Sequence, residues 1–268
     1  MRELLYVLFT LTLIELAHAA RALETERDSL MADGLALGIR QFEFGNSCWQ
    51  KNREEAISWY EKAAMLGVVD AQVKLAECHH YGVGVTQDFA RAAKLYDKAA
   101  RLGSAAAKFR LGEYSFIGIN YMAQDKALAL RWYRDAATHD YALAEYKLAV
   151  CYGGGDGVAK NQREAKSWYE KAAQHGHVVA QNHLAWRYQN GWPEADLKKD
   201  EKIAFEWYKK AAVQGFEGSQ FELGKFYWTG TVVEQSPEKA IEWWRKAAAQ
   251  GCGDALRKLS QVLSERAQ

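Results

Sequence analysis

The chain has 268 residues, 49% of them hydrophobic, with ten tryptophans and only two prolines. Thirty-five basic residues offset 34 acidic ones, for a formal net charge of +1, which excludes the broad basic excess of a protein that lives on nucleic-acid phosphates. Proline removes a backbone donor and breaks helices, so its scarcity fits a chain built from many of them.

At the N-terminus, Arg2 precedes an apolar run from Leu4 to Ile14, Glu15 interrupts it, and Ala17-His18-Ala19 comes next as a small-x-small step. That order is expected of a secretory signal over residues 1–19, cleaved after Ala19, which would place the protein in the periplasm or outside the cell. The alternative is a hydrophobic first helix that caps the rest of the chain; Glu3 and Glu15 favour it, and a chain that kept the segment would be cytoplasmic. Either way the run is too short to cross a bilayer of ~30 Å as a helix, so no integral span is expected. Residues 20–32 form a helical lead-in.

From residue 33 onward the chain repeats itself. One anchor recurs as Leu37-Gly38, Leu75-Ala76, Leu111-Gly112, Leu148-Ala149, Leu184-Ala185 and Leu223-Gly224. A second stands 20 to 23 residues later as Trp59-Tyr60, Leu95-Tyr96, Trp132-Tyr133, Trp168-Tyr169, Trp207-Tyr208 and Trp243-Trp244, stepping by 36, 37, 36, 39 and 36 residues. Each copy reads as helix, loop, helix, turn. Ala71, Leu75, Ala76 and His79 share one face of a first helix. The second helix opens on Asn52, Asp88, Asp125, Asn161, Asp200 or Ser236, all side chains that accept from the free amides of a first turn. Ala56, Ala92, Ala129, Ala165, Ala204 and Ala240 then stand three before the aromatic pair, where a small residue lets the partner helix approach. Gly67, Gly103, Gly176, Gly215 and Gly251 end the helix in the left-handed conformation that glycine adopts without strain, and Asp140 breaks that rule. The fifth copy carries three extra residues around Trp192-Pro193-Glu194, expected to lengthen its loop. The tail from Ala255 to Gln268 repeats only a first helix and is expected to cap the last unit. A lone unit cannot bury its apolar stripe, whereas stacked units can.

Together the pattern Ala-x-x-x-Leu-Gly, Tyr, Gly-x-Gly-Val, Asp-x-x-x-Ala-x-x-Trp-Tyr-x-Lys-Ala-Ala, Gly resembles the Sel1-like repeat, a relative of the tetratricopeptide repeat. It is seen best in Tyr81-Gly82-Val83-Gly84-Val85 and in Tyr152 with Gly155-Asp156-Gly157-Val158. The resemblance implies an all-α, right-handed α/α superhelical solenoid of six repeats at about 33–70, 71–106, 107–143, 144–179, 180–218 and 219–254, with a groove presented to partner proteins. By resemblance to tetratricopeptide units, positions two, six and nine after the anchoring alanine line that groove, and about 100° per residue places them on one stripe away from the repeat core. In the first copy the stripe is Leu35, Ile39 and Phe42. Across the array it supplies Phe109, Phe116, Tyr146, Trp186, Phe221 and Trp228, with Glu77, Glu113 and Lys225 among them. Aromatic side chains anchor interfaces because they bury much area at little rotamer cost. The alternative is that they pack between adjacent first helices.

Catalytic and metal-binding patterns are weaker. Ser236-Pro237-Glu238-Lys239 fits Ser-x-x-Lys, but its companion motifs are absent and Ser236 occupies the helix-cap slot, with Pro237 in the favoured first position. Cys78-His79-His80 points in diverging directions on a helix. His175, His177 and His183 meet no standard ligand spacing, so no metal is expected. Gly153-Gly154-Gly155-Asp156-Gly157 lacks the strand and lysine of a phosphate loop, and Lys198-Lys199-Asp200-Glu201-Lys202 is a solvated helix start. Cys48, Cys78, Cys151 and Cys252 form no framework; Cys48 with Cys78 is the one pair near enough to suggest a bridge in an exported chain, and buried thiols are the alternative.

The expectation is therefore a monomeric protein-binding module with no cofactor and no catalysis. Relatives in bacterial envelopes suggest an immunity protein that neutralises a secreted effector, or an envelope adaptor. A cell-wall or β-lactam hydrolase is the distant alternative, since no nucleophile, base and oxyanion set assembles.

Overall fold

The computed structural model describes residues 21, 28–119 and 123–266. The apolar run from Leu4 to Ile14 and the Ala17-His18-Ala19 step lie outside them. Among the described residues the structure is helical throughout, and its one β-type pairing is an isolated bridge between Trp192 and Leu197. No described helix is long and apolar enough to cross a membrane.

The chain divides into two compact units, one up to Ala107 and one from Lys108. The first holds α1 (28–48), α2 (Arg53–Met65), α3 (Val69–Tyr81) and α4 (Phe89–Arg101). The boundary falls inside α5 (Ala105–Ile117). The second continues with α6 (Lys126–Ala137), α7 (Ala142–Gly154), α8 (Gln162–Gln174), α9 (Val178–Asn190), a 3-10 turn (Pro193–Ala195), α10 (Glu201–Val213), α11 (Glu217–Thr229), α12 (Pro237–Ala249) and α13 (Gly253–Arg266). Within each unit helices consecutive in the chain pack on one another, and their short turns make neighbours antiparallel.

All six capping residues act as their types dictate. Asn52, Asp88, Asp125, Asn161, Asp200 and Ser236 are extended and accept from amides of the first turn they open. From the second copy on, each cap's own N–H returns to the end of the first helix: Asp88 to His79, Asp125 to Ser115, Asn161 to Tyr152, Asp200 to Tyr188 and Ser236 to Tyr227, at 2.7–2.8 Å. The inter-helix loop is pinned at its base in this way. Asp200 accepts from both Lys202 and Ile203, so Asp200→Ala is expected to cost about 1 kcal/mol, read as a lowered thermal midpoint with an unchanged far-ultraviolet spectrum.

The core keeps the same register. The six alanines three before the aromatic pair are fully buried, as are Tyr60, Tyr96, Tyr133, Tyr208 and Trp244, with Tyr169 nearly so. The first member of the pair instead lies partly exposed, and in the first, fourth, fifth and sixth copies it is a tryptophan under the lysine three residues on. Lys62 over Trp59, Lys171 over Trp168, Lys210 over Trp207 and Lys246 over Trp243 stand 3.9–4.2 Å from the ring centroids, a cation–π contact that covers an indole face while the ammonium stays wet. The fifth copy's extra residues fold into a compact corner, with Trp192 and Leu197 buried against Tyr169 and Leu184. In α13, Ala255, Leu259 and Val262 cover Trp244 and Ile241 as the capping role requires.

The first copy departs from its expected register. Leu37 is 51% exposed. The residue that meets Tyr60 is Gly45, where a Cβ would stand 2.7 Å from Tyr60 Cε1. The Tyr60 hydroxyl donates to Asn46, and Phe42 and Trp49 flank the ring at 5.5 and 5.9 Å. Gly45 therefore takes the role expected of Gly38, two helical turns further on, although Phe44 before it is about as exposed as Leu37, and α1 joins α2 through a short link in which Asn52 N–H bonds the Cys48 carbonyl. All four cysteines are free. Cys48 and Cys78 pack in the same cluster around Tyr60, and burial pushes the Cys78 thiol up to about 11.

Candidate protein interface

The expected stripe separates into three kinds of position. Phe109 does not face a groove: it is 5% exposed, packed on Tyr133 and Tyr141 with centroids at 5.8 and 5.5 Å, because the corner before α7 brings Tyr141 over it. Phe116, Tyr146, Phe221 and Trp228 are half-buried. Phe116 leans on Tyr133. Tyr146 stacks on His177 at 4.3 Å. Phe221 and Trp228 both lie against Trp244, at 6.5 and 5.4 Å. Trp186, at the centre of α9, is 49% exposed. These contacts join the two readings of the stripe, since most of its aromatics rest one face on the repeat core and leave the other towards solvent.

The charged members are already engaged. Glu113 accepts the Tyr133 hydroxyl at 2.5 Å and pairs with Lys147 at 3.1 Å; with burial as the larger cause, this carboxylate drives the Tyr133 phenol far above its ordinary range. Lys225 pairs with Glu222 at 2.8 Å and lies over Phe221 at 5.7 Å. Glu77 pairs with Lys74 in the first unit.

Three contributors are not legible in the stripe. Arg187 lies 5.0 Å from the Trp186 ring and 4.2 Å from the Trp192 ring, and its Nε–H donates to His183 Nε2 at 3.3 Å. Trp192, from the fifth copy's long loop, helps to hold it beside Trp186. Lys258 of α13 stands 5.6 Å over Trp228. The Ser219 hydroxyl donates to Asn182 at 2.8 Å and links α11 to α9. In the second unit, then, α9 and α11 together present Trp186, Arg187, Phe221, Lys225 and Trp228.

The first unit holds a cavity of about 480 Å³ lined by Met65, Gln72, Leu75 and Leu95 and rimmed by Arg91, Lys94 and Lys98. Arg91 is tied to Glu61 at 2.9 Å. Gln72 Oε1 is buried there without a hydrogen-bond partner, because the end of α4 offers Leu102 where the fifth and sixth repeats offer Gln214 and Gln250. Ser236, the serine of the Ser-x-x-Lys match, accepts the Lys239 amide at the start of α12.

The Sel1 repeat family model matches residues 37–68, 69–104, 105–141, 142–177, 178–216 and 218–252. No curated protein sequence matches the chain. A protective antigen of uropathogenic Escherichia coli strains with an SLR fold is 30% identical at a TM-score of 0.70, over 88% of this chain and 49% of its own. A Sel1 repeat protein from Oxalobacter formigenes is 29% identical at a TM-score of 0.78, over 84% of this chain and 65% of its own. The chain thus spans about half of the first and just under two thirds of the second. An immunity protein from Pseudomonas aeruginosa, 17% identical at a TM-score of 0.50 over 84% of this chain and 82% of its own, shares the fold.

Proposed function

Because the chain belongs to the Sel1 repeat family, whose fold serves protein–protein interaction, we propose that it acts by holding a partner protein against the α9–α11 face. One observation carries the reading: Trp186 stays exposed in the middle of α9 while Arg187 beside it is fixed by Trp192 and His183. An indole with a pre-positioned guanidinium is the kind of residue pair that dominates interface energetics, since little rotamer freedom remains to be lost on binding. Phe221 and Trp228 widen the same apolar surface, and Lys258 over Trp228 lends it positive charge.

The partner is a secreted effector or an envelope component, and the role is that of an immunity protein or, failing that, an envelope adaptor. The signal-like order of Leu4–Ile14 and Ala17-His18-Ala19 supports an envelope location, and an effector-neutralising role suits a face whose anchor residues are already held in place for tight binding.

Capture of partners from envelope extracts with wild type and with Trp186→Ala, followed by affinity measurement on the captured species, tests the site. Loss of 30-fold or more in affinity, about 2 kcal/mol, with an unchanged melting temperature is expected. Equal capture by both proteins would remove α9 from the interface.

A further inference from the structure

At the corner before α7, Asp140 replaces the glycine of the other repeats and sits in the left-handed region at φ +55. Gly67, Gly103, Gly176, Gly215 and Gly251 hold the equivalent corners at φ +83 to +96, and a residue with a Cβ is disfavoured there by about 1 kcal/mol. In the first turn of α7, Glu145 takes the slot of Gln72, Gln181 and Gln220. Those glutamines are buried, and each donates Nε2–H to a carbonyl near the end of the preceding helix, that of Ala64, Ala173 or Ala212. A carboxylate has no such proton to give, yet Glu145 is only 1% exposed. In the fifth and sixth repeats the glutamine Oε1 accepts from a second glutamine at the end of the paired helix, Gln214 or Gln250. In the repeat of Glu145 that second position is His175. Three slots that are glycine, glutamine and glutamine in both later repeats thus become aspartate, glutamate and histidine together.

The three side chains converge. His175 Nδ1 lies 2.8 Å from Glu145 Oε2, and its Nε2 lies 3.8 Å from Asp140 Oδ1. One ligand atom from each residue falls within 4.8 Å of the other two. We propose that Asp140, Glu145 and His175 form a site for one divalent transition-metal ion of the zinc type, with water completing its coordination. Zinc takes imidazole nitrogen and carboxylate oxygen at ~2.0–2.2 Å, so its tetrahedral ligand atoms stand roughly 3.4 Å apart. One ion takes only one of the two ring nitrogens, so the 2.8 Å contact of Nδ1 and the 3.8 Å contact of Nε2 are not two edges of one site; the three donor atoms, one from each residue within 4.8 Å, reach that spacing by rotation of the His175 ring and the two carboxylates. Mixed nitrogen and oxygen donors favour this class over magnesium or calcium, which take oxygen alone. Two carboxylates balance the charge of the dication. His177 caps α9 and stacks on Tyr146, and His183 stacks on Tyr169, so the other histidines of this turn are engaged elsewhere.

The test compares the full chain with Asp140→Gly/Glu145→Gln/His175→Gln, which restores the residues of the fifth and sixth repeats, by calorimetric titration and thermal unfolding with Zn²⁺. Wild type is expected to bind one ion per chain beyond whatever the variant binds and to melt higher when loaded. Co²⁺ is expected to give visible ligand-field bands with wild type only. Asp140→Gly alone is expected to raise the metal-free melting temperature while weakening zinc affinity at least tenfold; this opposite pair of signs carries the test should the triple variant not fold. Identical zinc isotherms for wild type and variant, or no isotherm from wild type, would overturn the site.

Discussion

Gly224→Ala is expected to destabilise the protein by roughly 2–3 kcal/mol, although glycine to alanine inside a helix ordinarily stabilises by about 1 kcal/mol. Gly224 lies within α11, and a Cβ there would overlap Nε1 and Cδ1 of the Trp244 indole. That indole cannot retreat. It is fully buried, its Nε1–H donates to the Phe221 carbonyl at 3.1 Å, and Phe221 and Trp228 flank it. The second, fourth and fifth repeats place Ala76, Ala149 and Ala185 in this slot and oppose them with Tyr96, Tyr169 and Tyr208, a smaller ring. The third repeat combines Gly112 with a tyrosine, and there a Cβ would stand 2.6 Å from Tyr133 Cε1. Since alanine and tyrosine coexist in three repeats, Gly112→Ala is expected to cost less than Gly224→Ala. Gly224→Ala/Trp244→Tyr rebuilds the alanine–tyrosine pair and is expected to recover about 1–2 kcal/mol relative to the sum of the single changes. Urea unfolding followed by far-ultraviolet dichroism measures wild type, Gly224→Ala, Gly112→Ala, Trp244→Tyr and the double change. A Gly224→Ala protein as stable as wild type would mean that the indole is not confined by this backbone.

The second helices are legible in the sequence because their determinants are local. A cap, an alanine three before the aromatic pair and a ring each act within two turns, so spacing alone places Asp200, Ala204 and Tyr208 correctly. The first copy misleads for a geometric reason. Gly38 and Gly45 are seven residues apart, which returns a helix to within about 20° of the same direction; both therefore lie on the buried face of α1, and the sequence pattern cannot choose between them. Only the length of the link to α2 decides, and that link is shorter than in the other copies. The stripe holds as a set of helix positions, but helix phase does not reveal what packs beyond it. Tyr141 covers Phe109, whereas half of Trp186 stays open to solvent. Arg187 and the Asp140, Glu145 and His175 cluster are hidden for a different reason. Their partners come from separate elements, and adjacency of that kind emerges only once the helices are stacked.

Acidification supplies the second large effect. Between pH 7 and pH 5 the protein is expected to lose roughly 2 kcal/mol of stability through His183 alone. The ring stacks on Tyr169 at 4.1 Å and meets the edge of Trp192 at 5.8 Å, and its Nε2 accepts from Arg187. Burial, and after it the neighbouring guanidinium, push its pKa down to about 4. A protonated ring would lose the acceptor that holds Arg187 and would face a second cation. In the unfolded chain the imidazole titrates near its ordinary ~6.5. Above that value both states are neutral and pH has no effect through this group. As pH falls from about 6.5 towards about 4 the unfolded chain takes up a proton that the native state refuses, so stability falls; below about 4 both states are charged and the loss levels off. His177, lowered by burial, and His79, lowered by burial and then by Arg91, act in the same direction. Urea unfolding of wild type and His183→Gln at pH 7 and pH 5 isolates the contribution. The variant is expected to start less stable at pH 7, having given up the stacked ring, and to lose about 2 kcal/mol less on acidification. An equal acid-induced loss in both proteins would show that this imidazole is not the group that titrates.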